Sequence, residues 1–272
     1  MTTRSVQLFH GRISGVMNLH RILPARVVKD VLAMDIPINS KEGFVRQVVG
    51  WREFVRHIHR ETDGFRRVPS GLEGAVCRDA PPLDATRPLP EVFWTGQSGL
   101  GCLDHVVREV WEEGYSHHIN RLMVLANWAT LLGIDAEEVS AWFWVAFEDA
   151  YDWVVEPNVL GMGTYAVGDL MVTKPYVSGS AYINKMSDYC KGCAFDPKTT
   201  CPMTALYWDF LGRNASVLAS NPRMRIVMSA LRKRDPARRE RDRTVAEAVT
   251  AQLAEGRILT PASLAGVGED AA

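Results

Sequence analysis

The stretch His117-His-Ile-Asn-Arg-Leu-Met-Val-Leu-Ala-Asn-Trp-Ala-Thr-Leu-Leu132, followed by Gly133 and Asp135, decides the fold. Its apolar residues return every three to four positions, and this spacing predicts one helix over residues 116–132. Gly133 is a residue type that ends helices, and Asp135 with Glu138 resembles a capping box that begins the next helix. Helical periodicity also covers residues 44–60, 103–113, 136–147 and 204–214, whereas alternating strand patterns are scarce. The sequence therefore predicts an all-α fold.

Size and composition favour one large globular domain with appendages. The 272 residues are 47% hydrophobic and 23% charged, an ordinary balance for a protein with a sizeable core. Residues 69–90 and 155–181 are rich in Pro and Gly and lack a period, which predicts two long loops. We predict a helical domain over residues 1–220. Residues 221–272 are predicted to form a basic helical extension whose tail, from residue 256, is frayed.

The net charge of -1 conceals a strongly basic stretch near the C-terminus. Residues 223–243 hold nine Arg or Lys residues against Asp235, Glu240 and Asp242. Such a stretch favours a polyanionic partner, although a solvated helix face explains it equally well.

Hydropathy gives no sign of a membrane protein. The first ten residues contain no apolar leader, and no run approaches the roughly 18 apolar residues of a membrane span. We therefore expect a cytoplasmic protein with no membrane partner.

The cysteines suggest a metal site. Cys190-Lys-Gly-Cys193 and, after seven residues, Cys201 place three thiols close together, and a reducing compartment disfavours disulfides. Cys102 is the natural fourth ligand, whereas Cys77 lies in an irregular segment and is expected to be a bystander. Thiolates bind zinc or an iron–sulfur cluster, and the spacing alone puts zinc first. Buried structural thiols remain the alternative.

Seven motifs carry a resemblance to a known family. They are Leu8-Phe-His10, Gln47-Val-Val-Gly-Trp-Arg-Glu53, Phe93-Trp-Thr-Gly96, His117-His-Ile-Asn-Arg-Leu-Met123, Lys174-Pro-Tyr176, Met186-Ser-Asp-Tyr-Cys190 and Ala205-Leu-Tyr-Trp-Asp-Phe210. The chain resembles the iron–sulfur branch of bacterial cryptochromes and photolyases, in their helical FAD-binding C-terminal half. This implies the all-α FAD-binding fold of that family without its N-terminal α/β antenna domain, which a separate chain could carry. An antenna chromophore is accordingly expected to be absent.

The resemblance also implies a cofactor set. Cys102, Cys190, Cys193 and Cys201 match the residues that bind a 4Fe-4S cluster in the family, which favours iron–sulfur over zinc. The gap between Cys193 and Cys201 is shorter than in relatives, which puts the shape of that loop in question.

FAD is the second cofactor that the resemblance implies. Arg121 and Asp149 match the residues near the flavin ring, and Ser14 and Arg52 lie in segments that line the flavin or the DNA cleft in that family. A guanidinium can donate hydrogen bonds near a flavin nitrogen, and an Arg–Asp pair buried together avoids the cost of burying either charge alone. Without the resemblance, the two residues would be interpreted as a surface ion pair.

Two tryptophans are predicted to carry electrons. In the resembling family, residues that match Trp94 and Trp142 connect the flavin to the surface, whereas core packing is the ordinary role of a tryptophan. Phe143 stands where relatives commonly have Tyr, so the outer hop is either rerouted, for example through Trp144, or absent.

The remaining candidate residues would act on a DNA lesion. His117 and His118 match a pair beside the lesion pocket, where an imidazolium could protonate a photoproduct, although histidines at a helix start are often only polar filler. Tyr176 could stack on an extruded base or, alternatively, cap the core. Relatives carry a Glu near the position of Val155, whereas here the acid is Glu156, which weakens the expectation of repair.

The resemblance implies light-driven electron transfer from reduced FAD to UV-damaged pyrimidine photoproducts in DNA, either cyclobutane dimers or (6-4) photoproducts. The expected partner is UV-damaged or single-stranded DNA. A non-enzymatic cryptochrome-like photoreceptor or redox module is the first alternative. The second is a nucleic-acid-binding domain without FAD, since the iron–sulfur domain of primase large subunits is similar in architecture.

Overall fold

The computed structural model describes residues 1–69 and 76–268, and that part of the chain is helical. That part contains no β-strand, and one isolated parallel β-bridge joins Arg87 to Ile134. The predicted all-α class is confirmed. The α-helices are α1 Ser14–Asn18, α2 Pro24–Ala33, α3 Ile38–Val45, α4 Arg52–Thr62, α5 Val92–Thr95, α6 Gly101–Glu113, α7 His118–Asn120, α8 Asn127–Leu132, α9 Ala136–Ala146, α10 Asp152–Glu156, α11 Ser180–Met186, α12 Met203–Arg213, α13 Ala215–Leu218, α14 Arg225–Lys233 and α15 Pro236–Ala254.

Three π-helical segments interrupt longer helical rods without breaking them. Arg46–Trp51 joins α3 to α4, Arg121–Ala126 joins α7 to α8, and Pro157–Gly163 continues α10. Short 3₁₀ turns cover Gly168–Leu170, Tyr189–Gly192, Pro222–Met224 and Ala262–Leu264. The five segments that periodicity predicts are helical except at residues 116, 117, 147 and 214, and each one buries apolar side chains.

The boundary between α8 and α9 forms largely as the sequence predicts. Gly133 takes φ 70° at the end of α8, a left-handed conformation that glycine adopts without strain. The Asp135 carboxylate accepts hydrogen bonds from the N–H groups of Glu137 and Glu138 and so caps α9. The second hydrogen bond of a capping box, from the Asp135 N–H to the Glu138 side chain, does not form, because the Glu138 carboxylate accepts from the Leu89 N–H instead.

One of the two predicted loops is partly helical. Pro157 has no N–H to donate and its ring crowds the preceding turn, and here the helix widens into π geometry instead of ending. Gly161 and Gly163 serve close packing, because an added Cβ would lie 2.5 Å from the Met171 sulfur and 2.9 Å from the Ala126 Cβ, respectively. Of the other predicted loop, residues 76–90 are irregular as expected, and residues 70–75 lie outside the described part.

The core is a contiguous apolar cluster that includes the C-terminal helices. Trp128 and Trp142 are fully buried in it, and α12 packs on both α8 and α15. The segment after α15 is not frayed at Leu259, which is buried and whose N–H donates to the Ser98 carbonyl at 2.7 Å. Residues 269–272 lie outside the described part, and the domain boundary at residue 220 stays a prediction. No helix in the described part is both long enough and apolar enough to cross a bilayer.

Candidate functional site

A cavity of about 450 Å³ lies among the described helices, and its volume is within the usual range for small-molecule sites. Each of the three π-helical segments lines it, for example through Gln47, Arg121 and Val159. π-Helical turns are rare and often lie at functional sites, because they redirect side chains that an α-helix would point elsewhere. Hydrophobic periodicity alone could not have located them.

A buried ion pair lies at the wall of this cavity. Arg121 donates two hydrogen bonds to the Asp149 carboxylate, at 2.9 and 3.1 Å, and a third, from Nε, to the Ser116 carbonyl at 2.6 Å. Ser14 donates to the same carboxylate at 2.7 Å. Burial by itself would raise the pKa of Asp149, but the Arg121 charge and these hydrogen bonds hold that pKa below its usual value. The pair is therefore ionised and fixed in orientation at neutral pH.

The cavity also offers donors to a ligand. The Arg121 guanidinium lies 4.1 Å from the centre of the Phe147 ring, and Arg52 lies 4.7 Å from the centre of the Trp153 ring. Arg52 Nε is buried and has no hydrogen-bond partner among the described residues. A buried donor without a partner is costly, so this atom calls for an acceptor on a bound molecule. Apolar walls with a few convergent cations fit a planar, anionic cofactor such as FAD.

The two adjacent histidines point to different places. His118 lines the cavity, and burial together with the Arg121 charge lowers its pKa, so it is neutral at pH 7. His117 is buried away from the cavity, where its Nδ1 accepts from the Asn120 N–H at 3.3 Å. Burial, followed by the neighbouring His10, lowers the pKa of His117 to about 4. His117 therefore caps a helix and does not line the cavity, whereas His10, whose ring stacks on that of His117 with 5.0 Å between ring centres, does line it.

Three tryptophans form a continuous path behind the aromatic wall of the cavity. Phe143 and Phe147 line the cavity, and both rings contact buried Trp142, at 5.3 and 6.0 Å between ring centres. Trp142 lies 6.3 Å from Trp111, which stacks on exposed Trp94 at 5.5 Å. The sequence prediction missed Trp111. Its position one turn after Val107 on α6 is that of an ordinary core-facing residue and did not indicate that it would lie between Trp94 and Trp142.

The structure places Phe143 and Trp144 differently from the sequence expectation. Phe143 lies at the inner, cavity end of the aromatic series, not at its outer end. Trp144 is exposed and makes no ring contact with another aromatic residue in the described part. Trp111 therefore replaces Trp144 as the candidate for the outer connection.

The acid next to Val155 does not face the cavity. Val155 lines it, whereas Glu156, turned by about 100° around the helix, is buried outside the cavity lining. Its carboxylate accepts from Arg66 at 2.9 Å and from Arg78 at 2.7 Å, and it lies 3.0 Å from His59 Nδ1. Glu156 thus ties the segments around residues 66 and 78 to α10, and it is not available to a ligand.

Tyr176 is exposed and is not part of the cavity lining. The predicted site residues that do line the cavity are Ser14, Arg52, His118, Arg121 and Asp149.

The four predicted cysteine ligands lie around one small cavity of their own. Cys102, Cys190, Cys193 and Cys201 all line it. The Trp128 indole N–H points at the Cys102 sulfur and the Gly101 N–H at the Cys193 sulfur, both at 3.4 Å. These are donors of the kind that tune cluster-bound thiolates. The chemistry of the donor set therefore fits an iron–sulfur cluster.

Cys102 and Cys201 are protonated at neutral pH unless a metal binds them. Burial, reinforced by the neighbouring cysteines, raises the pKa of both Cys102 and Cys201 to about 12. In the described part, no group of three or more His, Cys, Asp or Glu side chains, these cysteines included, is arranged closely enough to hold a metal ion. A tetrahedral zinc ion would need sulfurs about 3.8 Å apart, given Zn–S bonds of about 2.3 Å.

Comparisons with known proteins agree with this geometry. Residues 44–195 match the family model described as the FAD binding domain of DNA photolyase. The chain is 44% identical over 193 residues to the (6-4) photolyase of Agrobacterium fabrum, an alignment that covers 69% of this chain and 36% of that protein. It is also 37% identical over 92 residues to the uncharacterized protein R855 of Acanthamoeba polyphaga mimivirus, covering 34% of this chain and 72% of that protein.

The chain thus spans about a third of the length of that photolyase. The match to the family model covers more than half of the chain and includes the Arg121–Asp149 pair and all three tryptophans of the path. The chain belongs to the family of the FAD-binding domain of DNA photolyase.

Proposed function

We propose that this chain is the FAD-binding part of a light-driven DNA repair enzyme that transfers an electron from reduced FAD to UV-damaged pyrimidines. The observation that carries the proposal is the buried Arg121–Asp149 pair in the wall of the 450 Å³ cavity, within the segment that matches the family model. The identity to a (6-4) photolyase makes the (6-4) photoproduct the first candidate substrate.

In this proposal, the polar groups of the cavity hold the cofactor. Arg121 would donate to the flavin ring while Asp149 and Ser14 keep its guanidinium in place. Arg52 Nε would donate to an acceptor on the same cofactor. Because these groups are fixed before binding, little ordering cost remains when the ligand enters.

His118 is the proposed proton donor to the lesion, and His10 lies close enough to the cavity to assist it. The lowered pKa of His118 means that the imidazolium is populated only below the usual histidine range. Repair that depends on this proton should therefore become faster as the pH falls below 6.5. Stacking of Tyr176 on an extruded base stays a proposal, and Tyr176 would have to act outside the cavity.

Trp142, Trp111 and Trp94 are proposed to conduct electrons between the cavity wall and the surface. Their ring centres are 5.5 to 6.3 Å apart, and Trp94 is exposed. The N–H groups of Trp111 and Trp142 both donate to the Phe93 carbonyl, at 3.0 and 2.9 Å, which holds the two rings in a defined relation.

We also propose that Cys102, Cys190, Cys193 and Cys201 bind a 4Fe-4S cluster with a structural role. The support is that all four thiols line one small cavity and that two N–H groups point at their sulfurs. Iron and acid-labile sulfide should be lost in Cys102→Ser but retained in Cys77→Ser, a matched change of a cysteine outside the cavity. Equal iron content in both variants would reject the assignment.

The test of function is conversion of a defined lesion. The purified protein, reduced without oxygen, would be illuminated with an oligonucleotide that carries either one (6-4) photoproduct or one cyclobutane dimer. Chromatography should show the restored bases in the light and not in the dark. Absence of conversion with both lesions, in a protein whose absorbance shows bound flavin, would reject repair.

A photoreceptor or redox module is the second candidate, and one observation favours it. Val155 occupies the cavity wall where an acid is expected, and Glu156 is held away by two arginines. Intact flavin photoreduction with equal affinity for damaged and undamaged DNA would support this candidate. The family match leaves a primase-like domain without FAD with no support.

A separate chain that carries an α/β antenna domain is a proposed partner. Support comes from exposed apolar residues at and around α2. These include Leu23, Leu32, Met34 and Ile38. Co-elution of the two chains in gel filtration would support the pairing.

A further inference from the structure

The C-terminal hairpin of α14 and α15 has a strongly basic surface that the proposed site does not use. α14 buries Met228 and Leu231 against the core, while Arg225, Arg232 and Lys233 are exposed. No residue of either helix lines the large cavity or the cysteine cavity. The hairpin also lies beyond the segment that matches the family model.

Three carboxylates at the start of α15 already have partners, whereas Glu247, farther along the helix, forms no ion pair in the described part. Asp242 binds Arg234 through two hydrogen bonds, at 2.6 and 3.0 Å, and Glu240 pairs with Arg243. Asp235 caps α15 by accepting from two backbone N–H groups. Six exposed cations of this region have no carboxylate within ion-pair distance among the described residues. They are Arg223, Arg225, Arg232, Lys233, Arg238 and Arg241.

The surface is held rigidly. Arg234 lies 4.6 Å from the centre of the Trp208 ring on α12, so the turn between the helices is anchored to the core. Arg239 donates to the carbonyls of Arg232 and Arg234 and so closes the end of α14. The backbone that carries the unpaired cations is therefore ordered before binding, so binding costs less conformational entropy than it would for cations on a loose tail.

A hydrogen bond extends the surface toward a second segment. The Asn221 side chain, just before α14, donates to the Thr173 carbonyl at 2.9 Å. Lys174 and Tyr176, both exposed, follow directly in the chain. The base of the hairpin therefore lies beside the segment that is proposed to meet DNA.

We propose that the α14–α15 hairpin binds the phosphate backbone of duplex DNA, independently of a lesion. Guanidinium groups match phosphate oxygens in geometry as well as charge, and unpaired exposed arginines avoid breaking an existing ion pair when they bind. The inference rests on the proposed function only in taking DNA as the polyanion. It names a second contact surface that would hold the protein on undamaged DNA.

The experiment measures binding of a fluorescein-labelled, undamaged 20-base-pair duplex to the full chain in the dark, from 50 to 200 mM salt. The hairpin variant carries Arg225→Gln, Arg232→Gln, Lys233→Gln and Arg238→Gln. The control variant removes the same charge from α2, the first π segment and α4 through Arg26→Gln, Lys29→Gln, Arg46→Gln and Arg60→Gln. Three of these four control cations are already paired with a carboxylate.

In the hairpin variant, the slope of log Kd against log salt concentration should be smaller by about 3 to 4, because each phosphate contact contributes about 0.9 to that slope. The loss of affinity between 50 and 200 mM salt then becomes about a hundredfold smaller than in the wild type. The control variant should keep most of the slope. If the quadruple variant does not fold, Arg225→Gln and Lys233→Gln, taken singly, should each lower the slope by about 0.9.

An unchanged slope in the hairpin variants would overturn the inference, as would displacement of the duplex by polyglutamate of equal charge, which would indicate an acidic protein partner. The two proposals fail separately. A flattened slope without lesion conversion would leave this surface standing and remove the repair function. Conversion with an unchanged slope would do the opposite.

Discussion

Replacing Asp149 with Asn is expected to lower the free energy of unfolding by about 3 kcal/mol. The change keeps the size of the side chain but removes its negative charge. The Asp149 carboxylate accepts two hydrogen bonds from Arg121 and one from Ser14. Removing one member of a buried ion pair costs about 3 to 5 kcal/mol, because the other charge is left uncompensated. We use the lower value of that range, because the Arg121 side chain is 20% exposed and solvent screens its charge in part.

The assay is urea denaturation followed by circular dichroism at pH 7, on a double-mutant cycle of Asp149→Asn and Arg121→Gln. The double variant should be more stable than the sum of the single effects predicts, by about 2 kcal/mol, because neither partner is left as an unpaired buried charge. Asp30→Asn is the matched control. It breaks an exposed Arg–Asp pair on α2 and should cost less than about 0.5 kcal/mol.

The pH dependence gives an independent check of the same pair. The folded-state pKa of Asp149 lies below the ordinary value of 3.8, so the stabilisation is fully present above that value. It should shrink as the pH falls through the lowered folded-state pKa. A cost of Asp149→Asn below about 1 kcal/mol at pH 7, or simple additivity in the cycle, would refute the interpretation of a buried, coupled pair.

Three further changes test other parts of the structure. Trp111→Phe should slow photoreduction of bound flavin, measured by absorbance, whereas Trp144→Phe should not; equal rates would remove Trp111 from the path. His117→Asn keeps a capping side chain that cannot titrate. The free energy of unfolding of the wild type should therefore fall by up to about 3 kcal/mol relative to that of the variant as the pH falls from 6.5 to 4. Parallel pH profiles of the two proteins in denaturation experiments would contradict this. Glu156→Gln should destabilise by about 2 kcal/mol, because Arg66 and Arg78 lose their shared carboxylate, and a midpoint of unfolding equal to that of the wild type would contradict it.

Local patterns in the sequence determined the helices. Apolar spacing depends on residues three and four positions apart, and the Gly133 and Asp135 signals depend on backbone groups within one turn, so no distant contact is needed to read them. The motifs, through their resemblance to a family, also indicated the Arg121–Asp149 pair and the four cysteines that line a common cavity.

Long-range packing decided the rest. His117 and His118 are neighbours in the chain, yet only His118 lines the cavity, because one residue along a helix turns the side chain by about 100°. Trp111 joins the path only because α6 packs beside α5 and α9, and Glu156 is withdrawn by arginines 90 and 78 residues away in sequence. The π-helical turns at the cavity, too, carry no periodic signal of their own. Helices follow from neighbours in the chain, whereas the faces that form a site depend on partners that only the folded chain brings together.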